Sequence, residues 1–286
     1  MLLTIIVPVF NRQNGFEELL SGLFPQITAG GFEKIVDLVV IDDSSTPPVV
    51  IPESGFAIHL HRLKQNSGAP KARELGFQKS SGRFIHFHDS DDGFDEGWLS
   101  AIIKELEAMP ELDILLTGRN DVGKTGSRYR YQKFFHRYVD QPERIKQRLV
   151  YRNCMGPLGG VTFSRRVLEQ VDFRRFESCQ DWQMYLDAVE YAKVLKSCPE
   201  IMYRFNVSGD DRISHNPAKK LIGHLQLSRM TAKKSVFGRN IRLFYLMTCR
   251  QHIINKQGVV LAFYKKHRIK FWLNYMLVSV YWRFIK

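Results

Sequence analysis

The stretch HFHDSDDGF, residues 86–94, closes an apolar run with Asp89, Ser90, Asp91 and Asp92. Asp89 and Asp91 lie two apart, so on an extended segment their carboxylates share a face, while a turn after the strand sends Asp92 elsewhere. Like charges at that spacing raise one another's pKa unless something positive lies between them. Two carboxylates with open positions suit Mg2+ or Mn2+, hard cations that keep waters and accept substrate phosphate oxygens. A solvated acidic turn capping the next helix through Asp92 or Asp95 explains the same residues.

Three further segments carry similar ambiguity. VVIDDSS ends an apolar run in Asp42 and Asp43. A carboxylate there could accept from a nucleobase N–H, and a strand-end turn built from Asp and Ser is the plainer account. NSGAPKAREL puts Gly68 and Pro70 at a helix start with Lys71 and Arg73 in its first turn. Cations there oppose the helix dipole, which a bound anion would compensate. In ESCQDWQMY, Asp181 sits where it can be a helix N-cap or a general base.

The elements that must position these residues alternate over the first 118 positions. Strand signals in LLTIIVPVF, IVDLVVIDD, FAIHLHRL, RFIHFHD and DILLTG are interleaved with helix signals in GFEELLSGLF, PKARELGFQKS and EGWLSAIIKELEAM. Near-continuous β-branched runs indicate a parallel sheet buried on both faces, hence an α/β fold. Ligands in such sheets bind at the carboxyl ends of strands, where both acidic pairs fall. The basic-aromatic residues 124–150 predict a hairpin or irregular structure. GGVTFS then reads as a strand and DWQMYLDAVEYA as a helix, with VLKSCPEIMYRF following them. His59, His61, His86 and His88 alternate on strands and are expected to be packed or solvated, not ligands.

In this order, TIIVPVFN, VVIDDSS, NSGAPKAREL, GRFIHFHDSDD and SCQDWQMYL resemble the family 2 inverting glycosyltransferases of the GT-A fold, over roughly residues 1–205. The resemblance implies a GT-A-type, mostly parallel twisted sheet flanked by helices. It implies a nucleotide-sugar donor, UDP-linked, and a hydroxyl acceptor on a glycan or lipid-linked sugar, in bacterial surface polysaccharide synthesis. Pro8 and Phe10 would border the nucleoside, Asp43 would hold uracil with Asp42 behind it, and Arg73 would stand near base or diphosphate, with Gly68 and Ser90 lining the donor site. Asp91 would bind Mn2+ or Mg2+, with Asp89 toward ribose, sugar or the same ion. Asp181 would deprotonate the acceptor; the family's acidic residue before it is Gln180 here. GDDRISHNP looks like a mobile loop in which Arg212 could meet phosphate and His215 phosphate or metal. A sugar-phosphate nucleotidyltransferase and a non-enzymatic nucleic-acid-binding protein are the alternatives.

The charge is uneven. Residues 212–286 hold sixteen of the 42 Lys and Arg residues and none of the 29 acids, within a net charge of +13. We therefore expect a catalytic domain over 1–211 and a basic, aromatic helical extension over 212–286. The longest uncharged run there, FWLNYMLVSVYW, has twelve residues, short of the ~20 a spanning helix needs. An amphipathic helix on an anionic lipid surface, with Trp272, Tyr275, Tyr281 and Trp282 at the interface, fits that run. Packed helices with a solvated basic face fit it too. No nucleic-acid motif accompanies the cations, so nucleic acid is not the expected partner. MLLTIIVPVFN lacks a basic n-region and a cleavage site and reads as a first strand. The spacing of Cys154, Cys179, Cys198 and Cys249 suggests free thiols in a reducing compartment. Together these point to the cytoplasmic face of an inner membrane.

Overall fold

The computed structural model describes residues 1–123, 126–173, 176, 178–207 and 217–231. Its first strand, β1 (Leu3–Val9, LTIIVPV), is buried on both faces, as a β-branched run between two helical layers must be. Helix α1 (Gln13–Gly30) follows and buries Phe16, Leu19, Leu20, Leu23 and Ile27, a stripe at helical spacing. It stops at Gly31, whose φ of 63° closes the last turn. Strand β2 (Val36–Asp42) is fully buried, and β3 (Ile58–Arg62) is largely exposed as the sheet edge. Then come α2 (Ala69–Lys79), β4 (Phe84–Phe87), the short β5 (Gly93–Phe94) and α3 (Trp98–Ala108).

Strand β6 (Ile114–Gly123) pairs antiparallel with β7 (Gly126–Arg130), the hairpin that is one of the two readings of the basic-aromatic segment. Two short helices, α4 (Lys133–Arg137) and α5 (Pro142–Tyr151), which that reading did not separate, lead to a single 3-10 turn at Leu158–Gly160. The chain continues through β8 (Val161–Ser164), α6 (Arg165–Leu168), α7 (Gln180–Tyr191) and β9 (Leu195–Asn206). Beyond lies α8 (Pro217–Thr231).

Among the described residues the strands form one nine-stranded sheet in the order β3-β2-β1-β4-β8-β6-β9-β5, with β7 on β6. The first four are mutually parallel, as expected. From β4 onward the sheet is mixed, since β8 runs antiparallel to both β4 and β6 while β6 and β9 are parallel. The hairpin after β6 reverses chain direction, and β8, reached through α4 and α5, pairs with β6 in that same reversed sense. Helices α1 and α3 cover one face, packing Leu23, Trp98 and Ile102 onto Ile5, Val7 and Leu38.

The chain divides into two compact units, the first comprising 1–146, 154–175 and 184–209, the second 147–153, 176–183 and the chain from 210 on. The division into a 1–211 domain and a 212–286 extension stays a proposal. Within the second unit the Trp182 Nε1–H donates to the Leu149 carbonyl at 2.7 Å, and the His224 ring of α8 stands edge-on to Trp182 at 5.8 Å. Among the described residues, no helix is long and apolar enough to cross a membrane. Trp272, Tyr275, Tyr281 and Trp282 lie outside the described residues, as does Cys249. Cys154, Cys179 and Cys198 are not in disulfides, and burial pushes Cys198 up to about 12.

Candidate active site

The parallel register carries the ends of β1, β2, β3 and β4 to one sheet edge. There Asp42 is buried and accepts the backbone N–H groups of Ser45 (2.7 Å) and Val49 (3.3 Å). Arg62, at the end of β3, adds a 2.6 Å bond to Asp42 and donates to the Ser45 carbonyl at 2.8 Å. Burial works to raise the Asp42 pKa. The bonds from Ser45 and Val49 and the Arg62 charge outweigh it and hold the carboxyl below its ordinary value. Asp43 is also buried, and its two oxygens accept the N–H groups of Ser67 (2.7 Å) and Gly68 (2.8 Å). Gly68 has φ +85°, a conformation that side chains disfavour. Asp43 therefore fixes the entry to α2, and any nucleobase N–H would share oxygens already committed to that loop.

The second acidic turn is built differently. Asp92 N–H closes the turn onto the Asp89 carbonyl at 3.1 Å, and the Asp92 carboxylate accepts the Asn206 N–H at the end of β9 at 3.0 Å. Asp92 thus points away from its neighbours, as expected. Asp89 and Asp91 keep side chains that are 39% and 22% exposed. Each meets a guanidinium: Arg73 of α2 donates to Asp89 Oδ1 at 2.8 Å, and Arg12 to Asp91 Oδ2 at 2.9 Å. The positive charge that the clustered acids require comes from two arginines distant in sequence.

Arg12 is held in place by its neighbour. Asn11 has φ 51°, its N–H donates to Ser45 Oγ (2.9 Å), and its Oδ1 accepts the Thr46 N–H (2.8 Å). That anchor turns the chain so that Arg12, the residue before α1, faces the 89–92 turn. Gly15 lets the first turn of α1 lie against the same loop, since a Cβ there would stand 2.9 Å from the Ser90 carbonyl oxygen. A cleft of about 500 Å³ opens here, lined among others by Asn11, Arg12, Ser45, Asp91 and Asn206. A larger cleft of about 620 Å³, lined by Arg166 and Lys193 among others, gathers none of the predicted site residues.

Of the remaining candidates, Pro8 is half-buried in β1 and Phe10, just beyond it, is 44% exposed at the site edge. Ser90 is buried. Asp181 lies in the first turn of α7, in the second compact unit. The preceding Gln180 donates to the Phe176 carbonyl at 3.0 Å. Arg212 and His215 lie outside the described residues. His86 and His88 are packed as expected: His86 contacts Thr162 Oγ1 (3.0 Å) and His88 Nδ1 (3.3 Å), and the His88 ring stacks on Phe94 at 3.9 Å. Burial keeps both neutral and lowers His88 to about 3.

Among the described residues no group of three or more His, Cys, Asp or Glu could hold a metal by itself. The donor set at the turn is two partly exposed carboxylates, which fits a hard divalent ion that completes its shell with waters and phosphate oxygens. Sequence reasoning missed Arg12, Arg62 and Gly15. The signal for Arg12 was present: it is a cation at a helix start without acidic residues in the first turn, the feature that drew attention to Arg73.

The profile described as Glycosyl transferase family 2 matches residues 4–172. The chain belongs to that family. It is 27% identical to an uncharacterized glycosyltransferase of Haemophilus influenzae over 60% of this chain, and spans about 60% of that protein's length. It is 29% identical to the minor teichoic acid biosynthesis protein GgaB of Bacillus subtilis over 39% of this chain and 13% of that one. Among solved structures, S. aureus TarS 1–349 in complex with UDP-GlcNAc matches with a TM-score of 0.63 at 16% identity, over 96% of this chain and 79% of that one. The mannosyltransferase PcManGT from Pyrobaculum calidifontis, in complex with GDP-Man and Mn2+, matches with 0.56 at 14%, over 97% and 85%. At such identities the likeness is one of fold, and it makes the mixed α/β sheet a GT-A fold. Family membership favours the glycosyltransferase reading over the nucleotidyltransferase one.

Proposed function

We propose that the chain transfers a sugar from a nucleoside diphosphate sugar, UDP-linked, to a hydroxyl of a glycan or lipid-linked acceptor, with inversion at the anomeric carbon. The observation that carries this reading is the meeting of Asp43, Asp89, Asp91, Arg12 and Arg73 at one carboxyl edge of the parallel strands. The exposed Phe10 ring offers a face for the base. Asp89 and Asp91 would hold Mn2+ or Mg2+, and when bound that ion supplies positive charge toward the leaving diphosphate. Arg73 adds a fixed cation at the same edge. Asp181 would take the acceptor proton as the hydroxyl attacks, a role typically worth about 10²–10⁴-fold. Gln180 before it brings no second carboxylate. Arg212 would meet a phosphate oxygen and His215 a phosphate oxygen or the metal.

The GgaB likeness supports an acceptor in cell-surface polymer synthesis, and the basic C-terminal quarter supports attachment to an anionic membrane on its cytoplasmic side. The decisive experiment is a panel of UDP-, GDP- and dTDP-sugars assayed for nucleoside diphosphate release with and without Mn2+. Release with one donor that Asp91→Asn abolishes, and that Asp181→Asn lowers by at least a hundredfold with donor binding kept, is the expected result. Full metal-free turnover, or full turnover by Asp181→Asn, removes the corresponding role.

A further inference from the structure

We propose that Arg12 is a built-in counter-ion for Asp91 that a divalent cation must displace, so that this one side chain sets how tightly the nucleotide-free protein takes the ion. The inference rests on the transferase reading only for the identity of the ion. Three observations carry it. The Arg12–Asp91 pair, 2.9 Å apart, uses the carboxylate that faces the cleft, and both partners are partly exposed at 34% and 22%. Such a pair opens at modest cost. The backbone that carries Arg12 stays at the site when the pair opens, because Asn11 is tied to the 45–46 turn by its N–H and by its Oδ1. Finally, Arg12 and Asp91 line the same cleft, so the released guanidinium stays where a diphosphate would present oxygens for a charge-assisted fork of hydrogen bonds.

The physics is a competition for one carboxylate. A divalent ion in direct contact with oxygen has twice the charge at shorter range than a guanidinium, but it must shed water and is repelled by the cation beside it. With Arg12 in place the protein alone binds the ion weakly. A donor diphosphate would draw Arg12 off and supply further oxygen ligands, which couples metal and donor binding.

The test is a titration of the nucleotide-free protein with Mn2+ alone, followed by electron paramagnetic resonance of the free ion. Arg12→Gln is expected to bind Mn2+ about fivefold more tightly than the parent, the worth of one partly exposed ion pair. Arg12→Lys, which keeps the charge, should stay near the parent, and Asp91→Asn should lose the site. Arg12→Met repeats the charge deletion should the glutamine variant fail to fold, with melting temperature as the check. Equal Mn2+ affinity in the parent and both charge-deletion variants overturns the proposal while leaving the transferase reading intact. Tightening in those variants, with no nucleotide sugar turned over by the parent protein, sustains the counter-ion and overturns the transferase reading instead.

Discussion

The two acidic turns look alike in sequence, Asp42-Asp43 after one strand and Asp89-Ser90-Asp91 after another, yet they are neutralised in opposite ways. Asp42 and Asp43 are buried, and four backbone N–H groups point at them, with Arg62 adding one ion pair to Asp42. Asp89 and Asp91 are partly exposed and are answered by the side chains of Arg73 and Arg12. Backbone donors are fixed by the fold and cannot leave, so the first pair is a structural knot that shapes the wall of the site. Side-chain cations at a surface can be exchanged for another cation, so the second pair is where chemistry can enter.

If that contrast is right, damage to the two turns should show in different measurements. The largest effect is expected at the knot: Asp42→Ala leaves the N–H groups of Ser45 and Val49 without their acceptor, while Arg62, 40% exposed, can turn to water, and it should cost about 2–5 kcal/mol in urea unfolding. A loss under 1 kcal/mol would break the contrast. The Asp42 carboxyl is held below its ordinary 3.8. Its stabilisation is therefore present above that value and lost as the pH falls through the folded one.

Acid should also act through the core under the second turn. His88 titrates at about 3 in the folded chain, against an ordinary 6.5. The unfolded chain takes up its proton first as the pH drops, so stability declines from 6.5 toward 3. By pH 5 this histidine alone removes about 2 kcal/mol, and a His88→Phe variant should show a correspondingly flatter pH dependence of its melting temperature between 7 and 5. Next in size, Gly15→Ala sets a methyl against the Ser90 carbonyl oxygen. It should cost about 1–3 kcal/mol and weaken Mn2+ binding through displacement of the 89–92 turn. Unchanged stability and metal affinity together would show that the helix and turn are not coupled.

The smallest stability change belongs to Asp91→Asn, within about 1 kcal/mol because its ion pair is partly solvated, combined with the greatest loss of metal binding. A variant that unfolds as readily as Asp42→Ala would place Asp91 with the structural pair.

Much of the fold was legible because its signals are local. Runs such as LTIIVPV and VDLVVID declare buried strands, and the spacing of Phe16, Leu19, Leu20, Leu23 and Ile27 declares a helix face. The reversal at β8 was not legible, since strand direction beyond a hairpin depends on which neighbour the returning chain finds. Gly159 and Gly160 pack beneath the Tyr203 ring, where a Cβ would stand 2.9 and 3.2 Å from ring carbons. A glycine pair in a sequence does not say what approaches it.

The sequence by itself determined the strand-helix alternation, the placing of two acid clusters at strand ends and the family to which the chain belongs, all carried by residue order over short windows. Only the tertiary structure decided who answers each charge. Arg12 reaches Asp91 across 79 residues and Arg73 reaches Asp89 across 16, and Asp43 spends its oxygens on the loop before α2. Every acid in the chain has many cations to choose from, and the Coulomb term falls with distance and with water between the partners, so the pairing exists only once the sheet has set the strand ends side by side.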